Sequence, residues 1–231
     1  IMSMSLGTTS GSDGSDSQSQ LVNQANAAGI AVIIAMGNDG EEEVPSPAAA
    51  DWSIAVGAMD NNENINRNDD DLASYSNYGP REDDGDSDRW DELKPSVVAP
   101  GSDIRAAAGH SNLSGDSNAQ GWSTKSGTSM ATPIVAGLAA LLLDADSSLA
   151  PTSNSNGVRD RLQDYSEAWS GEHDGSASEP NESDKYNYYY GYGYIDGYEI
   201  VDINQPDAVI TEISVTPEEP VEGDTVTISI E

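Results

Sequence analysis

Blocks of apolar residues recur along the first hundred positions, separated by polar stretches of helix or loop length. Ile1 to Leu6 reads as a strand, followed by a Ser/Gly/Asp loop from Gly7 to Ser17. Gln18 to Ala28 has helical spacing, with Leu21, Val22, Ala25 and Ala28 predicted on one face and Gly29 as the C-terminal stop. Ile30 to Ala35 is apolar throughout, as in a strand buried on both faces. Strand, helix and strand in this order form a βαβ unit. Ser53 to Ala58 and Val97 to Ala99 add two short strands. The predicted fold class is therefore α/β: a parallel sheet with helices on both faces.

Further along, Ile134 to Leu143 is apolar enough to bury on every side of a helix. Tyr186 to Tyr198 holds seven tyrosines among glycines; packing is the usual role of such rings, and stacking on a sugar or peptide is the sharper one. Ile195 to Val201 reads as a short closing helix. The composition changes at Pro206, and Ala208 to Glu231 reads as a strand, a Pro/Gly turn and a second strand in which Thr225 to Ile230 alternates. Two strands cannot stand alone. The expected division is residues 1–203 as one domain and 204–231 as a linker and the first strands of an Ig-like β-sandwich module. Both ends of the chain look cut, so the missing targeting segment says nothing about location.

Charge changes the picture more than composition does. Forty-one acidic residues face nine basic ones, a formal net charge of −32. Such a surface repels a phosphate backbone, so no nucleic-acid partner is expected. Self-repulsion on this scale works against a compact state unless ions screen it, which reads as salt adaptation. There is no cysteine, hence no disulfide and no thiol chemistry. No apolar run approaches membrane-spanning length, so no membrane span is expected in this segment. The acidic stretches 61–71, 81–92 and 171–184 read as solvated loops. Structural calcium would suit their carboxylates, but none shows an ordered ligand spacing, so the metal ligands stay unknown.

The chemistry centres on Lys125-Ser126-Gly127-Thr128-Ser129-Met130-Ala131-Thr132-Pro133, where a loop becomes an apolar helix. A serine at a helix start can present its hydroxyl while helix N–H groups face a developing negative charge. Pro133 fits the first turn, where its missing N–H breaks no helical bond. Gly127-x-Ser129-x-Ala131 resembles the nucleophile elbow of α/β-hydrolases, but that elbow needs a buried strand immediately before it, and Gln120 to Ser126 is polar. Alone, a glycine-flanked serine is usually a helix cap and Asn38 in Gly-Asn-Asp-Gly a turn residue.

A second resemblance covers about residues 1 to 203. Ser126 to Pro133, with Val135-Ala136-Gly137, is similar to the serine motif of the subtilisin-like serine peptidases, the subtilases. Ser3-Met4-Ser5-Leu6-Gly7 resembles their substrate-lining strand, and Val32 to Asn38 the strand ending in the oxyanion asparagine. Pro47-Ala48 with Val56-Gly57-Ala58, then Ser74 to Pro80, Leu93 to Gly101 and Gly191 to Asp196 follow in the family's order.

The resemblance implies roles for individual residues. Ser129 would be the nucleophile attacking a scissile carbonyl, and Asn38 would donate its side-chain N–H to the oxyanion beside the Ser129 N–H. Ser5, Leu6 and Gly7 would pair with the substrate backbone as an added strand. Ala35, Met36 and Gly37 would line the primary specificity pocket, with Met36 narrowing it. Met130 would make activity oxidant-sensitive if exposed. No cofactor is required for such chemistry. Peptide or protein substrates and an extracellular or cell-surface location are implied.

Two departures qualify these implications. The family's aspartate and histidine precede its serine and would lie upstream of Ile1. His110 and His173 are the chain's two histidines, and both sit in polar contexts unlike the family's, as surface residues would. Without its base a triad loses most of its catalysis, so the parent protein is expected to be a serine endopeptidase and this segment alone inactive. Ile134 follows Pro133 where the family often has histidine, a matter of local packing. The alternative reading is a catalytically degenerate surface or binding protein on the same scaffold.

Overall fold

The computed structural model describes residues 1–86, 90–107, 122–146, 148–151, 157–169 and 186–201, and the backbone of 213–216 and 227–230. His110, His173, the acidic stretch 171–184 and the predicted linker lie outside them. The chain divides into two compact units, residues 1–201 and 202–231.

In the first unit the sheet is built from β1 (Met2–Met4), β2 (Val32–Ala35), β3 (Ile54–Asp60) and β5 (Val97–Pro100), parallel in the order β1-β2-β3-β5. A two-residue strand, β4 (Asp71–Leu72), turns back antiparallel on the end of β3. Alternation along the strands divides the core. Ile33, Ile54, Val56, Ala58, Val97 and Ala99 face a layer made by α2 (Thr128–Ala145), α3 (Val158–Asp164) and α4 (Gly197–Val201). Val32, Ile34 and Ala55 face the opposite way, toward Val22 of α1 (Ser17–Ala27) and the Ala48–Ala50 segment. Helices thus cover both faces of a largely parallel sheet, as the apolar blocks predict.

Several boundaries and faces differ from expectation. β1 is shorter than Ile1 to Leu6, because Ser5 to Gly7 bend away from the sheet into an exposed segment. Asp16 caps α1, accepting from the Gln18 N–H at 2.8 Å and the Ser19 N–H at 3.1 Å. Within that helix Val22 is buried but Leu21 is 63% exposed, so the apolar face is narrower than the spacing implies. Gly29 stands at φ 88°, a conformation open to glycine, and ends the helix as expected.

α2 is the larger correction. It buries Ala131, Val135, Leu138, Ala139 and Leu142 but leaves Pro133, Gly137, Ala140 and Leu141 exposed, so it does not bury on every side. Its length and composition also reach those of a membrane-crossing helix, contrary to the expectation of no such run. Its buried stripe lies against β2, β3 and β5, the position of a core helix.

The tyrosine run is mainly packing. Tyr186, Tyr190 and Tyr194 are buried, and the Tyr186 hydroxyl donates to the Lys94 carbonyl at 2.7 Å. A hairpin of β6 (Ile104–Ala107) and β7 (Trp122–Lys125) precedes α2. In the second unit β8 (Ile213–Thr216) pairs antiparallel with β9 (Thr227–Ile230).

Candidate active site

The site forms where the C-terminal end of β2 meets the start of α2. The fully buried β2 carries the chain to Gly37, whose φ of 107° requires glycine. A side chain there would also meet Asn77 Nδ2 at 2.6 Å. Beyond it Asn38 is exposed. The Asn77 Oδ1 accepts from the N–H groups of Asp39 at 2.7 Å and Gly40 at 3.0 Å, fixing the turn that follows Asn38.

α2 starts at Thr128 with Gly127 as its cap residue, at φ 148°. Gly127 has no side chain to cap the helix, and Asn38 takes that role. Its Oδ1 accepts from the Thr128 N–H at 2.8 Å and from the Thr128 hydroxyl at 3.0 Å. An N–H can only donate, so the atom facing it is the amide oxygen, and Nδ2 is left as the outward donor. The Thr128 hydroxyl also accepts from the Gly37 N–H at 3.2 Å. This fully buried threonine therefore locks both sides of the asparagine.

Ser129 is the second residue of the helix and half-buried. Its N–H belongs to the first turn, whose donors have no intrahelical acceptor. A point one carbon out from Gly127 lies 3.5 Å from Asn38 Oδ1, 3.6 Å from Asn38 Nδ2 and 3.7 Å from the Ser129 nitrogen. The Asn38 amide and the Ser129 N–H thus both border the space in front of Gly127. The Ser5 hydroxyl donates to the Ser129 carbonyl at 3.3 Å, tying the Ser5–Gly7 segment to the helix start.

The other predicted residues fall as follows. Ser5, Leu6 and Gly7 are exposed beside Ser129. Ala35 and Met36 are buried, and the Met36 side chain packs with Val22, Val44 and Ala48 in the core. Met36 therefore does not narrow an open pocket; what reaches the surface here is the backbone at Gly37. Met130 is half-buried and lines a cavity of about 400 Å³ with Pro133 and Ile134. β7, directly before the serine segment, is an exposed hairpin strand and not part of the main sheet, which is not the geometry of a hydrolase elbow. Thr128 and Asn77 were not singled out by sequence; their roles come from hydrogen bonds spanning 90 and 38 residues.

For metal, three carboxylates gather away from this site. Those of Asp51, Asp84 and Asp91 come within 4.8 Å of one another. The Arg81 guanidinium, fully buried, bonds all three at 2.7, 3.0 and 2.6 Å. A cation already stands among them.

The sequence profile of the Subtilase family matches residues 1–193. The serine protease AprX of Bacillus subtilis is 35% identical over 182 residues, covering 74% of this chain and 39% of its own length. Subtilisin DY of Bacillus licheniformis is 37% identical over 166 residues, covering 70% of this chain and 47% of its own. The chain thus spans less than half the length of these relatives. Among solved structures, sphericase superposes with a TM-score of 0.61 at 28% identity, over 84% of this chain and 55% of its own.

Proposed function

The chain belongs to the subtilase family, and on that premise we propose that its parent protein is a serine endopeptidase that uses Ser129 as nucleophile. The observation that supports this is the Asn38–Thr128 clamp, which turns the Asn38 Oδ1 to Thr128 and leaves its Nδ2, with the Ser129 N–H, as donors at the start of α2. In the proposed reaction the Ser129 hydroxyl attacks the scissile carbonyl, and the carbonyl oxygen takes up negative charge between those two donors. Collapse of that intermediate releases the amine and leaves an acyl group on Ser129, which water then removes. Ser5 to Gly7 would pair with the substrate backbone. Ala35, Met36 and Gly37 would form the floor of the specificity pocket through their backbone.

No base for Ser129 occurs among the described residues. We assign it to polypeptide outside residues 1–231, in line with the greater length of the relatives. No observation favours the degenerate-scaffold reading. An extracellular location and salt adaptation are part of the same proposal, the latter supported by the net charge of −32. The cation held by Asp51, Asp84 and Asp91 is proposed to be Arg81, with calcium able to take the place only when the guanidinium is removed. Residues 204–231 are proposed as the opening of a β-sandwich module.

The test is acyl-enzyme trapping. An N-terminally extended protein mixed with a peptide p-nitrophenyl ester and quenched in acid should carry one acyl group, mapped by mass spectrometry to Ser129. Turnover with the acyl group elsewhere, or surviving in Ser129→Ala, would overturn the assignment.

A further inference from the structure

Pro45 stands between the two segments that the proposed reaction assigns to the substrate, Ser5 to Gly7 and Ala35 to Gly37. A point one carbon out from Gly7 lies 3.5 Å from the Pro45 Cγ, and the same construction on Gly37 also ends 3.5 Å from that atom. Non-bonded carbons meet at about 3.5–4.0 Å. One ring carbon is therefore at contact distance from both glycines, and the proline is buried.

Neither wall gives way. On the Gly37 side, a carbon would already stand 2.6 Å from Asn77 Nδ2. On the Gly7 side, it would meet the Ser46 carbonyl oxygen at 3.3 Å. The space between the two segments is thus about one carbon deep before the proline is reached.

The ring is held in place by its flanks. Thr8 to Ser12 runs beside Val44 to Ser46: the Thr8 N–H donates to the Ser46 carbonyl at 2.8 Å, the Ser12 N–H to the Val44 carbonyl at 3.0 Å, and Gly11 pairs antiparallel with Pro45. The Ser46 N–H donates to the Thr8 hydroxyl at 3.1 Å, and the Ser46 hydroxyl to the Asp16 carboxylate at 2.6 Å. The Pro45 carbonyl accepts from the Ala49 N–H at 3.1 Å. Withdrawing the ring would break several of these bonds together, so it is a fixed wall.

A substrate strand paired with Ser5 to Gly7 would run about 4.8 Å from it. Its side chain beside Gly7 would turn toward Gly37, into the interval that Pro45 closes. A methyl group ends against the ring, whereas a longer side chain overlaps it, and overfilling a packed space is costly. We propose that Pro45 sets the depth of the primary specificity pocket and selects substrates with a side chain of alanine size on the residue whose carbonyl Ser129 attacks. The position of the substrate rests on the endopeptidase reading.

The test uses an N-terminally extended protein and the series acetyl-Ala-Ala-Xaa, with Xaa alanine, leucine or phenylalanine. As p-nitroanilides the peptides report kcat/KM. As methylamides they report Kd by calorimetry on the Ser129→Ala variant, which needs no turnover. Alanine should lead leucine and phenylalanine by about tenfold or more in kcat/KM, with the same order in Kd. Apolar burial alone would give the reverse order. Pro45→Ala should invert the order in favour of leucine, whereas Pro151→Ala, at an exposed proline outside the site, should keep it.

Leucine or phenylalanine equal to or better than alanine in the unaltered protein overturns the proposal, and this comparison stands even if Pro45→Ala fails to fold. An order unchanged in Pro45→Ala, or inverted equally in Pro151→Ala, overturns it as well, as does binding of none of the peptides. If the extended protein binds the series but cleaves none of it, the endopeptidase reading fails, and the order of Kd still decides the role of Pro45.

Discussion

Thr128 does more for the site than its position beside the nucleophile implies, because one buried hydroxyl and one N–H hold the Asn38 amide in a single orientation. In an active, extended enzyme, Asn38→Ala should lower kcat by about 10²–10³ with little change in KM; that magnitude is the one established for subtilisin itself, a member of this family. Thr128→Val keeps the shape and the N–H but loses the hydroxyl, so kcat should fall about tenfold, the worth of one good hydrogen bond. Steady-state kinetics with a peptide amide check both, and an increase confined to KM would contradict the positioning role. Ser129 and Asn38 were singled out by the family resemblance of their motifs, and the structure brings the two segments together through Thr128. Thr128 and Asn77 were not singled out, since their partners are far off in sequence. Met36 was misplaced for a related reason: an apolar residue at a strand end gives no sign of whether it faces the core or a pocket, and here it faces the core.

At the level of elements, α1 is held through Asp16. Burial opposes its charge, but hydrogen bonds from the Ser46, Ser12 and Ser19 hydroxyls outweigh that and hold the carboxyl well below its usual range. With the folded value depressed below the unfolded ~3.9, this contribution is complete above about pH 5 and is lost as pH falls through the acid range. Asp16→Ala should therefore cost about 1–2 kcal/mol at neutral pH, and its Tm deficit should shrink on acidification; a deficit independent of pH would contradict the ionised cap. The segment following Pro80 depends on Arg81 in the same way. Arg81→Met leaves three carboxylates facing one another and should cost about 3–5 kcal/mol. Calcium should raise the Tm of that variant, whereas chelator should leave the unaltered chain unchanged; a chelator-sensitive parent would refute Arg81 as the resident cation. Strand and helix order could be read from apolar blocks and turn residues. The faces could not: Leu21 fits the helical spacing yet is exposed, and α2 is apolar all round yet presents Pro133, Gly137 and Leu141 outward, because burial depends on neighbours that periodicity does not reveal.

Across the whole molecule the excess of acid is greater in effect than the count suggests, because Arg81 and Lys94, two of the nine basic residues, are buried. Lys94 donates to the Ser53 hydroxyl at 3.0 Å and its carbonyl at 3.2 Å, and burial, then Arg159 and Arg81, lower its pKa well below the ordinary lysine value. Arg81 is spent on Asp51, Asp84 and Asp91 and Lys94 is paired with no carboxylate, so the other acids face few cations, and thermal unfolding of the parent protein followed by circular dichroism should shift to higher temperature from dilute to molar salt. A Tm that does not move would remove the case for salt adaptation. The central proposal is an oxyanion site at Asn38 and Ser129 whose serine has no base among the described residues. A fluorophosphonate probe measures this most directly, since it modifies serine only when the hydroxyl is activated. In molar salt, an N-terminally extended protein should label at Ser129, and Asn38→Ala in that background should label more slowly. The 231-residue chain should label little or not at all; equal labelling of Ser129 in the two proteins would contradict the account.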